Sequence, residues 1–304
     1  MFANTILFAY ALAHYKYPPL RAKNMKLIAI LYLSMLIWYL GTIGTNYNLP
    51  GTYNFSKSCI LFGSWFRILC GIFLYIYVHL VRLYIYIRIF NQTKRVTRKV
   101  YIIAIAIYVL FVLAYGLPTT ILQDQLTVRF IKPLGICQYG VTFREISFSM
   151  VWAGWVAVMV GTYLARNINS SFNEYREMLL ICIISSIAIT YLTVVHHVLE
   201  NYIIVRWARN TTTMFEYFSS QTPLFILLRV PVYNCIFNRA EYQRQFFRKM
   251  HADGMAAVYG CTSHPSFSRA MSSSGTLAYP AFPPAPAFPP APTILPPVAD
   301  EDKV

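Results

Sequence analysis

Seven apolar stretches divide this chain, and they constrain its fold more than any single residue does. The stretches are Phe2–Ala13, Leu27–Ile43, Ile60–Ile87, Val100–Leu117, Ile146–Leu164, Leu179–Leu199 and Phe215–Phe237. An α-helix needs about 20 apolar residues to cross the roughly 30 Å hydrocarbon core of a bilayer. The chain is 57% hydrophobic and 12% charged, whereas a soluble domain carries about 25% charged residues. The pattern predicts an all-α integral membrane protein, with a seven-transmembrane helix bundle over residues 1–250.

The first stretch, Phe2–Ala13, is short for a membrane span. At 1.5 Å per residue it gives about 18 Å of helix. It also lacks the basic region and the small-residue cleavage site that are typical of a signal peptide. We therefore expect a truncated start, with a fuller first helix missing from this sequence. The alternative is a six-span protein with an N-terminal stub, which would place both termini on one side.

Lys and Arg residues are distributed unevenly among the segments that join the stretches. The segments after the first, third and fifth stretches, together with residues 238–250 after the seventh, hold 15 of them, and the segments after the second, fourth and sixth hold six. Because basic loops stay in the cytoplasm, this bias predicts an extracellular N-terminus and a cytoplasmic C-terminus in the plasma membrane. The net charge of +15 is then a topology signal, and we expect no nucleic-acid partner.

Two cysteines lie on the same predicted side of the membrane. Cys59 precedes the third stretch, and Cys137 lies in the long segment before the fifth. Thiols that face an oxidising compartment can pair. The positions therefore favour a Cys59–Cys137 disulfide that pins the outer loop over the bundle; the alternative is two free thiols at a membrane surface.

Ionisable residues in the outer halves of the stretches are candidates for a ligand pocket, since each costs about 2.5–3.5 kcal/mol near the membrane centre. The candidates are Arg67, His196, His197, Glu200 and Glu216. Arg67 is a counter-ion for an anionic ligand, a partner of Glu145 or Glu216, or a snorkelling side chain. His196 and Glu200 share a helix face, and either line a polar pocket or end a helix. No third metal ligand and no enzyme signature is evident, so we expect no metal, no cofactor and no enzymatic activity.

A second set of residues lies on the predicted inner side. The candidates for contact with a cytoplasmic partner are Arg82, Tyr84, Lys94, Arg95, Arg98, Arg176 and Tyr233. Arg82 lies in the inner half of the third stretch, where it remains charged and can donate to a partner's backbone carbonyls. The alternative is a headgroup anchor beside interfacial tyrosines.

The inner end of the seventh stretch carries the most informative local motif. Pro231 interrupts the helical hydrogen-bond ladder and predicts a kink. The following segment places Tyr242, Phe246 and Phe247 on one face and basic residues on the others. This pattern predicts an amphipathic helix that lies along the membrane surface.

These motifs resemble those of G-protein-coupled receptors. Rhodopsin-like receptors carry Asn before the proline and an acid before the arginine, where this chain has Val230 and Val81. The segments Pro18–Asn24 and Pro231–Phe237 resemble fungal orphan seven-span receptors. Some relatives of those receptors carry a regulator-of-G-protein-signalling domain that has no counterpart here.

The resemblance implies a small-molecule or peptide ligand in the outer half of the bundle and a heterotrimeric G protein at the inner loops. The main alternative is a transporter or channel subunit built from the same helices. A truncated, inactive receptor is the third interpretation.

Residues 251–304 differ in kind from the rest of the chain. They are rich in Ser, Ala and Pro, and they repeat Ala281–Pro286 as Ala287–Pro292. Such a segment cannot bury a core, so we expect a disordered cytoplasmic tail with polyproline II character. A module that reads Pro-x-x-Pro is a partner that fits this composition, and a plain solvated tail is the alternative.

Overall fold

The computed structural model describes residues 1–46, 58–92, 97–122, 126–131, 136–167, 174–199 and 204–252. The α-helices are α1 (Phe2–Ala13), α2 (Pro18–Ala22), α3 (Met25–Asn46), α4 (Leu74–Gln92), α5 (Arg98–Ile121), α6 (Val141–Leu164), α7 (Glu174–Val198), α8 (Arg206–Phe237) and α9 (Arg239–Ala252). A π-helical segment, π1 (Ile60–Phe73), runs directly into α4, and a 3-10 turn (Ala165–Asn167) follows α6. Two short strands, β1 (Val128–Ile131) and β2 (Ile136–Tyr139), separate α5 from α6.

The part of the chain described by the structure contains five helices that are long and apolar enough to cross a membrane. They are Met25–Asn46, Ile60–Ile89, Arg98–Ile121, Val141–Leu164 and Tyr175–Val198. The exposed side chains of α5 are predominantly large and apolar, among them Ile103, Ile105 and Leu110, which are 58%, 61% and 69% exposed. Contiguous apolar surface of this kind is rare on soluble monomers. The chain is therefore a helical membrane protein.

The count of seven spans stays a prediction. Helix α1 is apolar but has only 12 residues. Helix α8 is long enough, at 32 residues, but it carries polar and charged side chains through its first half. The apolar stretches located all of these helices, and the observed helices are mostly longer than the stretches. Hydrophobicity marks the part of a helix that lies in hydrocarbon, whereas the helical backbone continues into the polar boundary.

The expectation of an all-α fold was wrong in one place. Strands β1 and β2 form an antiparallel hairpin in which Val128 pairs with Tyr139 and Phe130 pairs with Cys137. The hairpin carries the predicted disulfide: Cys59 and Cys137 are bonded, with Cα atoms 5.5 Å apart. The bond fixes β2 beside the start of π1, and we call this end of the bundle the hairpin end.

Helix α3 and π1 pack more closely than side chains normally allow. A Cβ atom on Gly41 would lie 2.4 Å from the backbone nitrogen of Arg67, and one on Gly44 would lie 2.4 Å from the Phe62 ring. Both positions therefore require glycine. Small residues let helix backbones approach closely inside membranes, which gives the two helices a wide shared surface.

The opposite end of the bundle carries α9, and we call it the α9 end. The predicted amphipathic helix is present, with Phe246 buried and Tyr242 half-buried against the bundle. The Tyr17 hydroxyl donates to the Arg239 backbone carbonyl at 3.2 Å. Residues 253–304, and with them the proposed disordered tail, lie outside the described residues.

A buried ion pair also lies at the α9 end. Lys23, just after α2, donates to the Glu177 carboxylate in the first turn of α7, and both side chains are under 10% exposed. The sequence had placed Lys23 among the exposed basic loop residues. The pair joins the loop before α3 to α7, and burial raises the pKa of the neighbouring Tyr242, with the Glu177 charge adding to the effect.

Candidate functional site

A cavity lies near the hairpin end, between α3, the π1–α4 helix, α6, α7 and α8. Its walls are mainly apolar, with Ile72, Val151 and Leu192 among them. Its volume is about 90 Å³, measured as the space open to the centre of a water-sized sphere. A cavity needs roughly 10–15 Å³ on that measure to hold one water molecule, so this one has room for several or for a small ligand.

The Arg67–Glu216 ion pair forms the polar wall of this cavity. Arg67 donates to Glu216 through Nε, at 3.2 Å from Oε2, and through Nη2, which bonds Oε1. Both side chains are 5% exposed. The Glu216 carboxylate also accepts from the Thr42 hydroxyl at 2.7 Å and from Trp38 Nε1 at 3.3 Å. The structure thus selects one of the open interpretations of Arg67: it pairs with Glu216, and it does not snorkel to the membrane surface.

The β-hairpin covers the cavity. Tyr139 lines the cavity, and its hydroxyl accepts from Arg67 Nη1 at 3.2 Å. Burial raises the pKa of the Tyr139 phenol above its ordinary value, with the Arg67 charge opposing that rise. The phenol is therefore neutral at physiological pH. Because the disulfide fixes the strand that carries Tyr139, it also fixes the part of the hairpin that covers Arg67.

Aromatic and small polar side chains form the deeper part of the cavity. Tyr75 and Trp155 stack with ring centroids 6.4 Å apart, and Trp38 meets Tyr75 edge-on at 5.6 Å. The Ser185 hydroxyl and the buried His196 ring also line the cavity. Flat, rigid rings beside a few polar groups are the usual lining of a small-molecule site.

Just beyond this aromatic cluster lies His79. Its ring is fully buried, meets Tyr75 edge-on at 4.7 Å, and lies 6.5 Å from Trp155. Neither ring nitrogen has a hydrogen-bond partner among the described residues. Burying an unbonded polar group carries a free-energy cost, so His79 contributes to packing at the expense of stability.

Three of the predicted pocket residues, Arg67, His196 and Glu216, line the same cavity. His197 does not: it is exposed, and its Nε2 lies 2.6 Å from the Glu145 carboxylate outside the cavity. The reason is geometric, because consecutive residues on a helix point about 100° apart. Glu200 lies outside the described residues.

Four of the cavity residues were missed by sequence reasoning: Trp38, Tyr75, Tyr139 and Trp155. An aromatic residue within an apolar span does not reveal which face it occupies. Tyr139 was accessible to inference, since residues i and i+2 of a strand share a face and Cys137 is anchored near Arg67.

The proposed cytoplasmic contact residues do not form one cluster. Arg82 is buried in a small cleft with Tyr86, Thr162 and Tyr175, further along the π1–α4 helix than the residues that line the cavity. Tyr84 is 54% exposed and its hydroxyl accepts from Arg88 at 3.1 Å. Residues two apart on a helix point about 200° apart, so Arg82 and Tyr84 cannot face the same cleft.

Tyr233 lies elsewhere again, on an outward groove of α8 that it shares with Leu7 and Phe225. Tyr233 and Arg82, both candidates for contact with a cytoplasmic partner, therefore do not line one cleft. Arg98 and Arg176 are both exposed, at the first turns of α5 and α7. Lys94 and Arg95 lie outside the described residues.

Helix α8 is continuous through Pro231, so the predicted kink stays a prediction. Within the described ranges, no group of three or more His, Cys, Asp or Glu side chains is arranged to hold a metal ion.

Comparisons of the chain with protein-family models, with curated proteins and with solved structures found no match.

Proposed function

We propose that this protein is a G-protein-coupled receptor of the plasma membrane, with an extracellular N-terminus and a cytoplasmic C-terminus. One observation carries the proposal: a cavity beneath the hairpin and a cleft that holds a buried arginine lie at two successive levels of one continuous helix. The π1–α4 helix places Arg67 in the cavity wall and Arg82 in the cleft, 15 residues or roughly 20 Å apart. A ligand that changes the packing around π1 can thereby shift the cleft between two arrangements.

The cavity favours a small, mainly apolar ligand with one polar group. The apolar walls select a hydrophobic body, and the Arg67–Glu216 pair with the Tyr139 hydroxyl offers both donors and acceptors at one side. An apolar cavity of about 150 Å³ admits benzene. The cavity here is smaller, at about 90 Å³, so a larger ligand enters with movement of side chains or of the hairpin. A small molecule therefore fits the cavity better than a peptide.

The cleft around Arg82 is closed in this structure, with a volume of only about 10 Å³. It lies between α4, α6 and α7, so separating α7 from α4 and α6 would expose Arg82. An exposed guanidinium can donate to the backbone carbonyls at a helix C-terminus. In this proposal the structure is the resting state, and the exposed basic residues Arg98 and Arg176 border the G-protein surface.

The test is nucleotide exchange on purified heterotrimeric G proteins. The chain is reconstituted in nanodiscs with one heterotrimer of each Gα class, and the binding of a slowly hydrolysed GTP analogue is followed. We expect basal acceleration for at least one class. Arg82→Ala should abolish it while expression and thermal stability persist. Arg129→Ala removes an exposed arginine at the hairpin end and is the matched control.

Two outcomes contradict the proposal. Acceleration of no heterotrimer, or equal acceleration by the parent and Arg82→Ala, removes the coupling role. Solute or ion flux through liposomes that contain the same preparation would favour the transporter or channel. Epitope tags at both termini test the orientation, since a C-terminal tag that is reached in intact cells contradicts it.

A further inference from the structure

The most conspicuous charge left unexplained by the bundle is Arg229. It lies on α8 on a row of exposed side chains spaced four residues apart, with Phe225 and Tyr233 as its neighbours and Phe237 one turn further. Phe225, Tyr233 and Phe237 are 45%, 59% and 66% exposed. Residues at this spacing stack along one helix face, so Arg229 projects from an aromatic ridge that points away from the helix core.

Arg229 has no counter-charge within the chain as far as the structure describes it: no hydrogen bond or ion pair joins its guanidinium to another described residue. The other arginines on α8 lie at its opposite end. Twenty residues separate Arg209 from Arg229, which corresponds to about 30 Å of helix, or one hydrocarbon thickness. If α8 crosses the membrane with Arg209 at one boundary, this length places Arg229 where the hydrocarbon meets the headgroups at the α9 end.

A groove borders Arg229 on the same face. Its volume is about 460 Å³, and Leu7 of α1 forms one wall while Val232, Tyr233 and Ile236 of α8 form the other. Asn234 also lines the groove, and its side-chain amide donates to the Val230 carbonyl at 2.9 Å. The groove thus has an apolar floor, with a cation and polar groups at its rim.

We propose that this groove binds one anionic phospholipid of the leaflet at the α9 end. The lipid phosphate accepts from the Arg229 guanidinium, whose planar fork matches two phosphate oxygens. One acyl chain lies in the groove against Leu7 and Ile236, and the Tyr233 ring lies at the headgroup level, as aromatic rings do at membrane interfaces. This inference rests on the predicted membrane crossing of α8, and it is independent of the receptor proposal.

Charge complementarity selects the anionic lipid over a zwitterionic one. Both lipid types fill an apolar groove, but a choline headgroup brings its own cation close to Arg229. A phosphatidylserine headgroup adds a carboxylate to the phosphate, so its net negative charge complements the guanidinium, whereas the net charge of a choline headgroup is zero. A free phosphate ion lacks the acyl chain and gains nothing from the groove.

The test is native mass spectrometry of the purified full chain, titrated with phosphatidylserine or with phosphatidylcholine of identical acyl chains. We expect the first phosphatidylserine to bind at least about tenfold more tightly than phosphatidylcholine, because its carboxylate adds a charge-assisted interaction that phosphatidylcholine lacks. Arg229→Gln should reduce this preference to about twofold or less, and Arg229→Lys should retain part of it. Excess inorganic phosphate should not displace the lipid.

Arg248→Gln is the matched control, because it removes a positive charge from α9 that is also exposed. Since Arg229 is exposed, its replacement should leave the thermal unfolding midpoint unchanged, which shows that the variant folds. Equal binding of the two lipids by the parent chain would overturn the proposal. So would a preference that survives Arg229→Gln, or one that Arg248→Gln abolishes as well, since that pattern reflects diffuse surface charge.

Discussion

Breaking the Arg67–Glu216 pair should destabilise the bundle severely, and the cost should depend on which of the two residues is replaced. Glu216 accepts four hydrogen bonds, from Trp38, from Thr42 and two from Arg67. Glu216→Gln keeps the shape but leaves a buried cation without its counter-charge. Removing one partner of a buried pair costs about 3–5 kcal/mol. For a domain of this size that corresponds to a fall of roughly 6–20 °C in the unfolding midpoint.

Arg67→Met should cost less than Glu216→Gln. The carboxyl left behind can become neutral by taking up a proton, whereas a guanidinium cannot release one inside a protein. The double variant Arg67→Met/Glu216→Gln has no buried charge at this position. Because replacing both partners of a buried pair is often nearly neutral, we expect the double variant to be more stable than Glu216→Gln alone.

The assay is thermal unfolding of the purified variants in one detergent, followed by intrinsic tryptophan fluorescence. Arg144→Met is the control, since Arg144 pairs with Glu145 at 3.0 Å and the two side chains are 16% and 43% exposed. A pair that reaches solvent in this way contributes less than a fully buried one, so this change should lower the midpoint by only a few degrees. The reasoning is refuted if Glu216→Gln matches Arg144→Met, or if the double variant loses the sum of the two single effects.

Three further predictions test the packing. Peptide mapping without reductant should recover Cys59 and Cys137 as one linked pair, and alkylation of both thiols under those conditions would contradict the structure. Gly41→Ala should lower the unfolding midpoint and the yield of folded protein, because its Cβ meets the π1 backbone at 2.4 Å; Gly161→Ala, whose Cβ meets only a leucine side chain at 3.2 Å, is the control, and equal behaviour of the two variants would refute the close contact. His79→Phe should leave the unfolding midpoint unchanged or raise it by a few degrees in the same thermal assay, since it removes two buried, unbonded nitrogens and keeps the ring contacts; a large fall would reveal a hydrogen bond to the imidazole.

The sequence located the helices well because one physical quantity decides them. In a bilayer, about 20 consecutive apolar residues are stable as a helix, because its backbone hydrogen bonds are all internal. Each apolar stretch therefore predicts its own helix without information from the rest of the chain. The hairpin was missed because β1 and β2 have four residues each and their pairing depends on a disulfide between distant parts of the chain.

The residues of the site were harder to predict because partner choice depends on rotation about each helix axis. Arg67 had two acidic candidates, Glu145 and Glu216, and only the packed structure distinguishes them. The burial of Lys23 was not predicted. A lysine in a short basic loop was interpreted as a topology signal, yet Lys23 forms a buried ion pair with Glu177. The face that a helix buries depends on contacts between residues more than a hundred positions apart in the sequence. A local sequence pattern does not contain that information.

The distance in sequence between Arg67 and Glu216 has a consequence for biosynthesis. The two residues are 149 positions apart, and synthesis proceeds at about 5–20 residues per second. Arg67 thus emerges roughly 7–30 s before the carboxylate that neutralises it. Cys137 is made much earlier, 78 residues after Cys59, so the hairpin and its Tyr139 hydroxyl can reach Arg67 during the wait. A nascent chain halted before α8 would hold the Arg67 cation beneath the completed hairpin, while α8, which carries Glu216 and completes the cavity, would still be inside the ribosome.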